Sequence, residues 1–218
     1  MEKQIDQGEQ VSAATQAHAS SPGRAVGSST PGTGTQGSGT TSATGTPSPS
    51  ATPGKVTGKQ VTAIGDSVMA ASAMALAAAM PGIYIDAKPD REMPAGLAIV
   101  RRLADTGRLR PVVVIGLGTN YLVTTRQLNE LMTLLGPDRK LVLINTYVPD
   151  SWSKQVNATE AAFIRQHPTV TPADWYDTIK NRMNILWPDH IHPIIPGTYV
   201  YARMVRRAVQ ATRDVTVP

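Results

Sequence analysis

The chain has 218 residues, no cysteine and a formal charge of +5, which excludes a disulfide-stapled scaffold and any site built on thiolates. No apolar run approaches the ~18–20 residues of a membrane span, and the opening MEKQIDQGEQ lacks the apolar core of a secretion signal. The basic excess is mild, is densest in RRLADTGRLR (101–110) and RMVRR (203–207), and comes with a single Phe, so solvated helix faces explain it better than nucleic-acid binding.

Along the chain, residues 21–54 are almost entirely Ser, Thr, Gly, Pro and Ala. Such a stretch cannot bury enough apolar surface to offset its ordering entropy. Residues 1–58 are therefore read as a disordered Ser/Thr/Gly/Pro-rich linker, and 59–214 as one folded domain. Gly32, Gly34 and Gly37 match the spacing G-x-G-x-x-G, but no strand precedes them and no helix follows, so the match is compositional.

From residue 60 strand and helix patterns alternate. VTAIGDS (61–67) begins as an apolar strand and leads into the Ala- and Met-rich helix 68–80. A short strand (83–88) precedes a helix over 92–107 that begins around Pro94 and stops at Gly107. PVVVIGLGTN (111–120) is continuously apolar at its start, as a strand buried on both faces should be. The amphipathic helix 124–136 follows, with Leu128, Leu131, Leu134 and Leu135 on one side. Next come a fourth strand (140–147), a helix (153–166), a weaker strand (169–175) and a last helix over about 197–212. Pro172 pushes the fifth strand to a sheet edge. This alternation predicts an α/β, three-layer αβα domain with a mostly parallel five-stranded sheet.

In such a sheet the ligand site lies beyond the carboxyl ends of the strands. Gly65-Asp66-Ser67 ends the first strand and puts Ser67 at a helix N-terminus, where free N–H groups favour an anion. Ser67 or Asp66 could equally be a plain N-cap. Gly116-Leu117-Gly118-Thr119-Asn120 ends the third strand, and Asn120 offers an amide there or serves as a turn residue. WPDHIHP (187–193) holds Asp189, His190 and His192. Asp189 and His192, spaced i, i+3, can share one side, with Asp accepting from Nδ1 and Nε2 left as a base. Beside a serine this is the acid–base–nucleophile arrangement of acyl transfer. His190 then becomes a spectator. The rival reading is a metal held by Asp189, His190 and His192, but ligands so close in sequence rarely converge, and His18 and His167 are poorly placed to complete the set. No metal and no cofactor are expected.

Together Gly65-Asp66-Ser67, Gly118-x-Asn120 and Asp189-x-x-His192 resemble the SGNH (GDSL-like) hydrolase superfamily. There is no G-x-S-x-G elbow, which disfavours the α/β-hydrolase family. AIGDSVM (63–69), IDAKPDREM (85–93), VVIGLGTN (113–120), LINTYVPDSW (143–152), VN (156–157), ADWY (173–176) and DHIHP (189–193) are similar to the extracytoplasmic SGNH domain of bacterial cell-wall (peptidoglycan) O-acetyltransferases. The resemblance covers about 60–212. It implies the flavodoxin-like SGNH fold and an acyl-enzyme on Ser67, with His192 as base and Asp189 orienting it. It further implies an oxyanion hole from the Ser67 N–H, Asn120 and the Arg91 turn, where Asp90 and Glu92 place negative charge. Trp152 and Asn157 could line the acceptor groove, or simply pack and cover a helix surface. The implied partners are an acyl donor and a cell-wall glycan hydroxyl. In that family a membrane acyltransferase domain precedes the linker, and here it would be a separate polypeptide or lie outside this chain. The implied location is the outer side of a bacterial membrane, and a monomer is expected. A carbohydrate or lipid acetylesterase, or a non-catalytic glycan-binding module, would use the same fold.

Overall fold

The computed structural model describes residues 1–20 and 54–212. Its centre is a five-stranded sheet of β1 (Val61–Gly65), β2 (Tyr84–Ala87), β3 (Val112–Gly116), β4 (Lys140–Ile144) and β5 (Val170–Ala173), in the order β2-β1-β3-β4-β5. Every pairing is parallel, and β1 and β3 run level, with Val61 opposite Val112 and Gly65 opposite Gly116. The strands therefore finish together at one rim, and the loops that follow them are brought side by side.

Helices cover both faces: α2 (Ser67–Ala79) and α7 (Ile195–Ala211) on one, α3 (Met93–Asp105), α4 (Thr125–Leu135) and α5 (Ser153–Gln166) on the other. The two-residue period of the strands divides the core. Val112, Val114 and Ile144 pack with α2 and α7, whereas Val113, Ile115 and Leu143 pack with α3, α4 and α5. This double cover is why the strands read as unbroken apolar runs. Leu128, Leu131 and Leu135 fix the buried face of α4, and Thr124 caps it by accepting from the Gln127 N–H. Among the described residues no helix is long and apolar enough to cross a membrane.

Two elements depart from expectation. The fifth strand stops at Ala173, because Asp174 turns the chain into α6 (Trp175–Ile179) by accepting from the Asp177 N–H at 2.9 Å. β5 is an edge strand, and Pro172 sits exposed on it, as a residue without an N–H requires.

The larger departure is at residues 2–20, which form a helix, α1 (Glu2–Ser20), packed on α2 and β2 rather than a linker. The linker reading of residues 21–53 lies outside the described residues. The physical reason for α1 is in α2. That helix is apolar on every side, and such a helix needs cover on more than one face, which leaves only Met74 and Ala78 of it exposed. Met69, Ala70, Ala73 and Leu76 are buried in it, with α7 along one flank and α1 along the other.

Candidate active site

The site assembles at the common rim of the strands. β1 ends at Gly65, Asp66 caps α2 by accepting from the Val68 N–H at 3.0 Å, and Ser67 becomes the first residue of the helix. The serine is 6% exposed, so its Oγ is sheltered yet reachable. Burial lifts the Asp66 carboxyl to about 6, against the pull of the Thr119 hydroxyl, the Val68 N–H and the charge of His192.

The loop before α7 brings in the other two groups. Asp189 does not use a helical turn to meet His192. Its Oδ1 accepts the backbone N–H groups of Ile191 at 2.8 Å and His192 at 3.0 Å, folding the loop around the carboxylate. Its Oδ2 lies 2.9 Å from His192 Nδ1. The Trp187 N–H closes the loop onto the His192 carbonyl at 2.8 Å, and a bridge between Leu186 and Pro193 locks its base. His192 Nε2 then stands 2.8 Å from Ser67 Oγ. Burial alone would raise the Asp189 carboxyl. The two N–H donors and the imidazole outweigh burial and hold it below the usual carboxylate range. His190 is exposed, with a left-handed backbone (φ 59°), and makes no part of the lining around Ser67 and His192. Among the described residues no three His, Cys, Asp or Glu are grouped to hold a metal.

A cleft of about 280 Å³ opens over Ser67 and His192. Asn120 and Trp152 line it, together with Asp90, Val148 and Ile191. The Asn120 amide is aimed by a bond from Nδ2 to the Arg91 carbonyl at 3.2 Å. Gly118, at φ 128°, lets the loop turn toward the cleft, and a Cβ there would lie 2.8 Å from Val156 Cγ1. The Trp152 indole N–H donates to the Gly118 carbonyl at 3.3 Å, and its ring lies 6.3 Å from that of the exposed Tyr121.

Two predicted site residues sit elsewhere. The Arg91 guanidinium turns away from the cleft and is occupied by the Gly65 carbonyl, the Asp86 carbonyl and the Asp86 carboxylate. An ion pair buried to about 10% exposure on both sides holds it there, so this side chain supports the rim from below and leaves only the backbone of the Arg91 turn for the oxyanion role that the resemblance implies. Asn157 does not line the cleft either. It clamps the turn after β4, accepting from the Thr146 N–H at 3.0 Å and donating to the Thr146 carbonyl at 2.9 Å. Its appearance five residues after Trp152 gave no clue to this, since the bond depends on how β4 ends. Thr119, whose hydroxyl bonds that of Thr146 at 3.1 Å, and Ile5 of α1 were not predicted. Thr119 lies between two residues already singled out, and that position was the available signal.

A five-stranded parallel sheet with a serine, a histidine and an aspartate at its rim is what the SGNH resemblance implies, and solved structures share the fold. The chain superposes on the G-D-S-L family lipolytic protein of Veillonella parvula with a TM-score of 0.57, at 15% identity over 67% of this chain and 96% of that one. Its homologues are peptidoglycan O-acetyltransferases. Over 155 residues it is 32% identical to the peptidoglycan O-acetyltransferase OatA of Listeria monocytogenes, a match spanning 71% of this chain and 24% of that protein. The fold also matches the C-terminal catalytic domain of OatA from Streptococcus pneumoniae, solved as a methylsulfonyl adduct. There the TM-score is 0.64 at 26% identity, covering 75% of this chain and 98% of that domain. The chain thus spans about a quarter of the length of the curated relatives it matches. No protein-family model matches it.

Proposed function

We propose that the protein transfers an acetyl group to a hydroxyl of a cell-wall glycan through an acyl-enzyme on Ser67. The observation that carries this reading is the unbroken hydrogen-bonded chain from Asp189 through His192 to Ser67 at the floor of a cleft that Asn120 also lines. With Nδ1–H donating to Asp189, Nε2 carries the lone pair and takes the Ser67 proton as Oγ attacks the carbonyl carbon of the donor ester. The oxyanion of the tetrahedral intermediate meets the Ser67 N–H at the start of α2 and the Asn120 amide, each donor typically worth ~3–4 kcal/mol. Collapse expels the donor alcohol, which leaves with the proton from His192. The glycan hydroxyl then enters, gives its proton to His192 and attacks the acyl carbon. The intermediate collapses with return of that proton to Ser67. Asp189 stays ionised throughout, and its depressed pKa supports that role.

Trp152, with Tyr121 beside it, offers an aromatic face at the cleft for the acceptor sugar. The resemblance to cell-wall O-acetyltransferases supports a donor delivered by a membrane acyltransferase part and a site that works at the cell surface. Water in place of the glycan would give an acetylesterase. The similarity to peptidoglycan O-acetyltransferases favours transfer. The deciding experiment supplies a chromogenic acetyl ester and a peptidoglycan oligosaccharide, then examines the glycan by mass spectrometry. A gain of one acetyl mass per acceptor, lost in Ser67→Ala, is expected. Ester turnover with an unmodified glycan would make the protein an esterase.

A further inference from the structure

The helix α1 lies over the same groups that perform the proposed chemistry. Gln4 Nε2 donates to the carbonyl of Pro193 at 2.8 Å and to that of Ala71 at 3.2 Å. Pro193 directly follows His192, and Ala71 lies one helical turn beyond Ser67. One amide thus ties the loop of the base to the helix of the nucleophile. The next residue, Ile5, lines the cleft with Ser67, His192 and Ile191.

This seating is built, not incidental. Gly8 is buried against α2 so tightly that a Cβ would fall 1.7 Å from the Ala70 carbonyl oxygen. Farther along, the Ile85 N–H donates to Thr15 Oγ1 at 2.9 Å, and Gln16 Nε2 donates to the Ile85 carbonyl at 3.1 Å. The Ala87 N–H reaches Ser12 Oγ at 3.4 Å. In a parallel pair, alternate residues turn both backbone groups outward, and β2 has no strand on its outer side. The side chains of α1 meet those outward groups and set its position along the sheet, which in turn sets where Gln4 and Ile5 stand.

We propose that α1 is a working part of the cleft: Gln4 positions His192 against Ser67, and Ile5 narrows the cleft so that short acyl groups enter and longer ones are refused. This rests on the acyl-enzyme reading of Ser67. Both partners of Gln4 are carbonyls, so only its N–H groups count. A donor-only side chain can replace it, and an isosteric acceptor cannot.

The test uses the full chain with acetyl and butyryl chromogenic esters. Gln4→Glu should lower kcat for the acetyl ester by roughly 10- to 100-fold with KM little changed, and Gln4→Lys should recover most of that loss. Ile5→Ala should raise the butyryl-to-acetyl ratio of kcat/KM by roughly 10-fold or more, in line with the 10- to 200-fold range for a methylene in an apolar pocket. That ratio is independent of how much variant folds. Gly8→Leu, which unseats the helix, should show both changes at once. Wild-type turnover that Ser67→Ala removes establishes the underlying reading separately. Given that turnover, an unchanged kcat in Gln4→Glu or an unchanged ratio in Ile5→Ala overturns the proposal.

Discussion

His192 Nε2 lies 2.8 Å from Ser67 Oγ, although 125 positions separate the two residues in the chain. The contact joins the first turn of α2 to the loop before α7, and both elements pack on the same face of the sheet. Replacing either residue by Ala should reduce hydrolysis of a chromogenic acetyl ester by roughly 10⁴- to 10⁶-fold. Asp189→Asn should cost about 10⁴-fold, since the imidazole would lose its orienting charge. His190→Ala, at an exposed position outside the cleft lining, should stay within a few-fold of wild type. A dead His190 variant beside an active His192 variant would reverse the assignment.

Asn120 should be felt in kcat rather than KM. Its amide is already held by the Arg91 carbonyl, so it contributes to the transition state without having to reorganise. Asn120→Ala is expected to lower kcat by ~10²- to 10³-fold, read in steady-state kinetics with the acetyl ester. A rise in KM at constant kcat would place Asn120 in ground-state binding instead.

Much of this site was legible because parallel strands ending at one rim leave little choice about where polar residues can meet. Ser67 and Asn120 each follow an apolar strand, and Asp189 and His192 precede the last helix, so a sequence pattern records both placements. Arg91 and Asn157 carried the right chemistry at the right rim, but Arg91 is engaged by Gly65 and Asp86 and Asn157 by the Thr146 backbone, and side-chain direction leaves no trace in spacing. The helix α1 escaped for a different reason. Its own pattern is weak, with Ile5 and Val11 as its only large apolar residues before Ala- and Gln-rich positions. The evidence for it lay in α2, whose uniformly apolar surface required a second cover.

Asp66 should make stability depend on acidity. Its folded pKa of about 6 lies above the ordinary 3.8, so the folded state holds the proton more tightly than the unfolded chain. The resulting stabilisation is complete below about 3.8 and is lost as pH rises through about 6. At ~1.4 kcal/mol per unit the swing is on the order of 3 kcal/mol. Asp66→Asn keeps an oxygen for the Val68 N–H and removes the titration. The difference in urea midpoint between wild type and variant should therefore shift toward the variant from pH 4 to pH 7. A constant difference would mean that Asp66 does not carry this proton.

Glu160 is 1% exposed, and neither carboxylate oxygen has a hydrogen-bond partner. Burial pushes its pKa well above the ordinary 4.5, so here too stability is lost as pH rises through the raised folded value. Glu160→Met keeps the volume and removes the unsatisfied group, a gain of ~1–3 kcal/mol. Thermal unfolding should move up by roughly 2–4 °C for each kcal/mol, and by more at pH 8 than at pH 5. A lower melting temperature at both pH values would show that the carboxyl has a partner.

The bonds from Ser12, Thr15 and Gln16 to β2 have a consequence for how the protein behaves among its own copies. A bare strand at the margin of a sheet invites another chain to add to it, the usual first step of aggregation. Here one margin is occupied by α1 and the other, β5, carries a proline with no N–H to offer. Both margins of the sheet are thereby made poor templates for a further strand, which keeps copies of the protein from joining edge to edge.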